Sequence, residues 1–249
     1  MLLLMEEFMK NIKVIFFDMG NTLLHFHYGQ SDDEKDMQGL VYLTEYLNRF
    51  DENITFEDVK NNFYRIWMDG IKDRKSKRIE YPIESFLNGF LKKYDLTFSL
   101  EQCIQAIHCF YKEYREQVRF EDNIYETLKS IKEKGYKIGV ISNTCYYDEV
   151  MKECFSKAKI YELVDNFTFS YSLRIGKPNK KIFESAIKQM EISCKEAIMV
   201  GDNLESDIKP ALELGMKTIW LKKDIINDAK LEIVPHVKIS NIKEILNYI

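Results

Sequence analysis

The residues able to do chemistry fall at the ends of apolar runs. Val14 to Phe17 stops at one acid, Asp18, and the chain turns through Gly20, Asn21 and Thr22 before it becomes apolar again. The run Ile138 to Ile141 ends in Ser142-Asn143; Ile198 to Val200 leads through Gly201 to Asp202, with Asp207 five residues on. Between these two lies Gly176-Lys177-Pro178, a lysine on a turn that enters a helix. Brought to one edge, they give three acids, a hydroxyl, a lysine and several backbone amides. Clustered carboxylates repel one another and are stable together when a hard cation such as Mg2+ binds among them through oxygen. Ser142, the amides opening the next helix, and Lys177 would supply donors and positive charge for an anion. A metal beside an anion site suits phosphoryl transfer. There a carboxylate can act as nucleophile through an aspartyl-phosphate, while the metal and Lys177 spread the developing charge.

The elements that must position these groups are short apolar runs, with Thr218 to Leu221 as a fourth, each followed by turn residues and helical periodicity. Uninterrupted runs of this kind fit parallel strands buried on both faces. The segments between them predict crossover helices over Glu126 to Lys134, Lys181 to Met190 and Asp207 to Leu214, with Gly135 and Gly215 as stops. Alternating strand and helix implies an α/β fold, a doubly wound (Rossmann-like) parallel sheet, in which ligands bind outside the carboxyl ends of the strands. Residues 29–118 read differently, as four or five amphipathic helices with no convincing strand. Leu40, Leu43, Leu47 and Phe50 recur at helical spacing, as do Phe56, Val59, Phe63 and Ile66, and a third series from Leu100 to Tyr114. Thr55 with Asp58 and Ser99 with Gln102 have capping-box spacing. The expected organisation is a core of residues 1–28 and 119–249 with an inserted all-helical cap of residues 29–118. DRKSKR, residues 73–78, is expected as a solvated loop between cap helices.

At 249 residues and 45% hydrophobic, the chain can fill a sizeable core. Acids outnumber bases by 40 to 36 along its whole length, so no basic field exists for nucleic acid. MLLLM runs directly into Glu6 and Glu7, too short for a signal-peptide core, and no segment approaches a membrane span; the expectation is a cytoplasmic protein with no membrane partner. Five cysteines without a CxxC pair suit reduced, buried thiols.

Together, FFDMGNTL, ISN, the Lys177-Pro178 turn and VGDNLESD resemble, in order, the four signature motifs of the haloacid dehalogenase-like (HAD) hydrolase superfamily. Residues 30 to 120 sit where one subclass of that family inserts a helical cap. The resemblance implies Asp18 as nucleophile, Ser142 and the Asn143 amide as holders of the phosphoryl oxygens, and Lys177 as support for nucleophile and phosphate. It implies Asp202 as a metal ligand, Asp207 as a second acid of the metal site, and the carbonyl of Gly20 as a further Mg2+ ligand.

One departure stands out. Phosphatases of the family usually carry an Asp two residues after the nucleophile, to protonate the leaving group and then activate water; here that position is Gly20. Glycine keeps the carbonyl but has no proton to give, and proton transfer is worth ~10^2 to 10^4 in rate. A glycine there also admits a backbone with φ > 0. His25 and His27 alternate just beyond, on one face if extended, and are candidates for the missing group, although surface or hinge positions explain them as well. His108, Phe63, Trp67 and Tyr111 are expected to pack inside the cap, with some aromatics facing the cleft. The reading is a Mg2+-dependent phosphatase for a small phosphorylated metabolite. The alternatives are a 2-haloacid dehalogenase-type hydrolase, which Asp202 and Asp207 argue against, and a phosphate-ligand binder that lost turnover with the acid at position 20. Substrate and oligomeric state stay open.

Overall fold

Four apolar residues, Val14–Phe17, form β1, and all four are fully buried. The computed structural model describes residues 8–77, 82–222 and 232–249, so MLLLM and Arg78 lie outside the described residues. After β1 come α1 (Asp32–Leu47), α2 (Phe56–Val59), a π turn over Lys60–Tyr64, α3 (Arg65–Lys77), α4 (Ile83–Leu91), α5 (Leu100–Phe110) and α6 (Lys112–Gln117). The chain then returns through α7 (Ile124–Glu133), β2 (Lys137–Ser142), α8 (Asp148–Lys157), β3 (Asn166–Phe169), α9 (Ser170–Leu173), α10 (Lys180–Gln189) and β4 (Ala197–Gly201). A π turn over Leu204–Ile208, α11 (Lys209–Glu213), β5 (Lys217–Leu221) and β6 (Val237–Ile239) follow.

The strands make one six-stranded sheet in the order β3-β2-β1-β4-β5-β6, parallel at every pairing. Val14 is level with Lys137 on one side and Ala197 on the other, so β1, β2 and β4 begin level with one another, and β4 and β2 continue past the end of β1. Alternate residues feed separate layers: Ile15 and Phe17 pack with the helices before β2, and Val14 and Phe16 with α10 and α11. The strand order reverses between β2, β1 and β4, which is where an open sheet leaves a crevice for a ligand.

Several sequence expectations are corrected. β3 and β6 are edge strands whose polar residues hide them among loops. α3 continues through residue 77, so most of the 73–78 tract is helix rather than loop. The helix expected from Asp207 begins its turns at Leu204 instead, because the Asn203 side chain accepts from the amides of Glu205 and Ser206 and acts as the cap. Phe50, Ile66 and Leu100 continue the helical spacing on paper but are exposed, lying past or at the edge of the buried stripe. Both expected capping boxes are present, and Ser31 with Glu34 forms a third that opens α1. The segments entering and leaving the helical region pair with each other, the amide of His25 donating to the carbonyl of Arg119 at 2.7 Å and that of Arg119 to His25 at 2.9 Å.

Candidate active site

Asp18 is the first residue after β1, and its amide donates to the carbonyl of Val200 on β4 at 2.9 Å. That bond fixes the nucleophile candidate between two strand ends. Asp202 follows β4, and its carbonyl accepts the indole N–H of Trp220 at 2.9 Å. Asp207 is drawn inward by the helix turn that Asn203 caps. It is fully buried, and its Oδ2 accepts the Asn203 amide at 3.0 Å. A Cβ at residue 201 would stand 2.4 Å from that oxygen, so only glycine leaves room for the carboxylate. Asp18, Asp202 and Asp207 each offer a carboxylate oxygen within 4.8 Å of the others. An all-oxygen donor set of this charge suits a hard divalent cation.

Lys177 enters the cluster from the turn before α10. Its Nζ lies 2.5 Å from Asp18 Oδ1 and 2.6 Å from Asp207 Oδ1. Burial works against its charge, but the two carboxylates outweigh that and hold its pKa above the ordinary lysine value. Burial pushes the Asp207 carboxyl up, against the pull of Lys177, and the charge of Asp18 adds to the rise. Sequence reasoning gave Asn143 only a backbone role, yet its side chain holds the lysine turn from both sides. Oδ1 accepts the Lys177 amide at 2.7 Å, and Nδ2 donates to the Lys177 carbonyl at 2.9 Å. Ser142 is buried at the end of β2 and lines the same cavity. Beside it the loop is pinned, as the Thr144 amide donates to Ser170 Oγ at 2.8 Å and that hydroxyl donates back to the Thr144 carbonyl at 3.0 Å.

Apart from His25, the residues singled out for the site therefore converge on one cavity of about 700 Å3, Asp207 closing the cluster beneath it. Its far wall comes from the helical region: Asp32, Asp33 and Asp36 of α1, Trp67 and Met68 of α3, and Tyr111 between α5 and α6. Asp36 is the residue that sequence reasoning missed. Its signal was an acid spaced four and seven residues from Leu40 and Leu43, on the buried stripe of α1.

The two histidines do not share a face. His27 lines the cavity, with its Nδ1 2.7 Å from Asp32 Oδ2, whereas His25 lines a separate cleft of about 1240 Å3 with Arg119 and Lys243. His108 packs against Arg115 and Glu153, as expected of a structural histidine. Gly20 lines the cavity, and a Cβ built on it would meet no atom within 4 Å. The left-handed backbone of this turn falls on Asn21, at φ 56°, not on Gly20.

A family model for haloacid dehalogenase-like hydrolases matches residues 12–215, which take in all four motifs. The chain belongs to the haloacid dehalogenase-like hydrolases. Within this family it is similar to a glyceraldehyde 3-phosphate phosphatase of Pyrococcus furiosus, 27% identical over 86% of this chain and 82% of that one. A HAD phosphatase structure from Thermococcus onnurineus superposes with a TM-score of 0.60 at 20% identity, over 95% of this chain and 97% of the other. A 2-haloacid dehalogenase from Pseudomonas syringae gives 0.62 at 19% identity, over 95% and 97%. These last two likenesses establish the HAD hydrolase fold alone. Among the described residues, no helix is long and apolar enough to cross a membrane.

Proposed function

We propose that this HAD-like hydrolase is a phosphatase that cleaves the phosphomonoester of a small metabolite through an aspartyl-phosphate on Asp18. The observation that carries the reading is Lys177, whose ammonium sits between Asp18 and Asp207 while Asp202 completes the carboxylate set. A haloacid site has no use for two further carboxylates beside an anionic substrate. A phosphatase does, because Asp18, Asp202 and Asp207, with the Gly20 carbonyl, would hold Mg2+, which supplies charge neutralisation for the transferring group. The phosphatase name of the Pyrococcus relative supports the same class.

In this mechanism Ser142 and the Asn143 amide donate to the phosphoryl oxygens, and Lys177 balances the charge of the nucleophile and the phosphate. A carboxylate oxygen of Asp18 forms a bond to phosphorus as the bond to the alcohol oxygen breaks, and that oxygen takes a proton from water, Gly20 having none to give. Water then cleaves the acyl phosphate and returns Asp18 to its carboxylate. Residues 29–118 act as a cap over residues 1–28 and 119–249. The paired crossings at His25 and Arg119, close to both boundaries, support that division, and α1 and α3 contribute a wall to the cavity that would limit the access of water to the reaction.

Aryl phosphate with and without Mg2+ is the direct test. Metal-dependent release of phenol supports the proposal; chloride release from 2-chloropropionate, or ligand-induced stabilisation without turnover, overturns it. Asp202→Asn should raise the Mg2+ concentration needed for half-maximal rate, and excess Mg2+ should restore part of the activity, since an amide oxygen replaces a charged ligand. An unchanged metal requirement would place the ion elsewhere.

Gly20 gives a sharper test. The space around its Cβ is open and its backbone is not left-handed, so Gly20→Asp should fold without strain. If a general acid is missing, the new carboxyl should accelerate alkyl phosphates, whose leaving groups need a proton, by up to ~10^2, and aryl phosphates much less. A folded variant with no gain on alkyl esters would mean that another group already transfers the proton, with His27 first in line by position.

A further inference from the structure

The wall opposite Asp18 has features that local structure does not explain. Asp32, Asp33 and Glu34 occupy the first turn of α1, where acids complement the helix dipole. Asp36 lies a turn further in, is 7% exposed, and forms no salt bridge among the described residues. The neighbouring Lys35 does not neutralise it, since its Nζ donates to the carbonyl of Phe26 at 2.8 Å. Instead Asp36 accepts from Tyr64 Oη at 2.5 Å on Oδ2 and from Tyr114 Oη at 3.0 Å on Oδ1. Each oxygen keeps a lone pair for a further donor, and the two phenols hold the carboxyl in place.

Trp67 supplies the second observation. It lines the same cavity at 1% exposure, and its indole N–H is buried with no hydrogen-bond partner among the described residues. A buried donor left unpaired costs about 1–3 kcal/mol. Tyr64 connects the two groups, binding Asp36 and packing edge-on to the Trp67 ring at 6.1 Å between centroids. The third observation is charge. Among the described residues the cavity is lined by one lysine, Lys177, already bound to Asp18 and Asp207, and by no arginine.

We propose that Asp36 and Trp67 read the leaving group, and that the group they fit is uncharged and hydroxylated, as in the phosphate ester of a small polyol. This rests on the phosphatase reading of the site. A hydroxyl donates its hydrogen to Asp36 and accepts from the indole N–H after a small side-chain shift, so one group, or two neighbouring hydroxyls, satisfies both. An ammonium can only donate and leaves Trp67 unpaired. A carboxylate or second phosphate can only accept, and it would face Asp33 and Asp36 with no free cation among the described residues to offset them, since Lys35 and His27 already attend Asp32.

The experiment is a panel with the Mg2+-loaded protein: p-nitrophenyl phosphate, glycerol phosphate, phosphoethanolamine and phosphoglycerate. Glycerol phosphate should exceed both charged esters in kcat/KM by at least about tenfold, the effect of one well-placed hydrogen bond or like-charge contact. Trp67→Phe and Asp36→Asn should each lower the ratio of glycerol phosphate to aryl phosphate kcat/KM by about five- to tenfold, chiefly through KM. Asp36→Asn should also narrow the discrimination against phosphoglycerate. Aryl turnover with equal use of the three alkyl esters, or with preference for phosphoglycerate, overturns this inference alone. Absence of turnover on every ester, aryl included, overturns the phosphatase reading and this inference with it. Melting curves check both variants, and if Trp67→Phe does not fold, the wild-type panel and Asp36→Asn decide.

Discussion

Asp18→Asn is expected to lower turnover of any phosphate ester by more than about 10^3-fold while the protein melts close to the wild-type temperature. The large effect follows because the amide oxygen is a poor nucleophile and cannot form the acyl phosphate. The small effect on stability follows from geometry. Asparagine fills nearly the same volume, its oxygen still accepts from Lys177, and Lys177 retains Asp207 as its ion partner. One negative charge fewer also relieves repulsion with Asp202 and Asp207. Steady-state rates on aryl phosphate and a thermal melt give both readouts. Retention of more than about a hundredth of the wild-type rate would remove Asp18 from the nucleophile role.

Lys177→Met should have the opposite pattern, with losses in both properties. The side chain is 3% exposed and is the cation between two buried carboxylates. Breaking a buried pair by deleting one partner costs about 3–5 kcal/mol, because the remaining charge is left uncompensated. Turnover should fall by about 10^2 to 10^3, the usual effect of removing one stabilising donor from a transition state. Mg2+ should raise the melting temperature of the variant more than that of wild type, since the ion then becomes the main counter-charge of the cluster. Equal Mg2+ responses would show that the carboxylates do not share the metal site with the lysine.

Much of the site was legible because its residues end apolar runs. Asp18, Ser142 and Asp202 are placed by strands that bury both faces, and an uninterrupted run such as Val14 to Phe17 can be read without knowing its partners. Lys177 and Asp207 were legible by order alone. Their geometry was not, because it depends on an asparagine side chain that clamps the lysine turn and on a cap at Asn203 that moves the helix start. β3 and β6 escaped notice since each is short and its apolar run is broken by polar residues, Asn166 and Thr168 in the one and Lys238 in the other. Asp36 escaped because a charge within a charged helix start reads as solvated, and only its two tyrosine partners, 28 and 78 residues away, reveal its burial.

The position of β1 at the centre of the sheet has a kinetic consequence. Its amides are bonded between neighbours on both sides, and the Asp18 amide extends that ladder by one rung to Val200. Such amides exchange with solvent only when the sheet as a whole comes apart, whereas the helices that line the cavity opposite can open in smaller cooperative units. Asp18, the proposed nucleophile, is thus tied to the slowest-exchanging part of the molecule, and the wall proposed to face the substrate to a faster one. In a hydrogen-exchange experiment the Asp18 amide should remain protonated long after those of α1 and α3 have been replaced by deuterium.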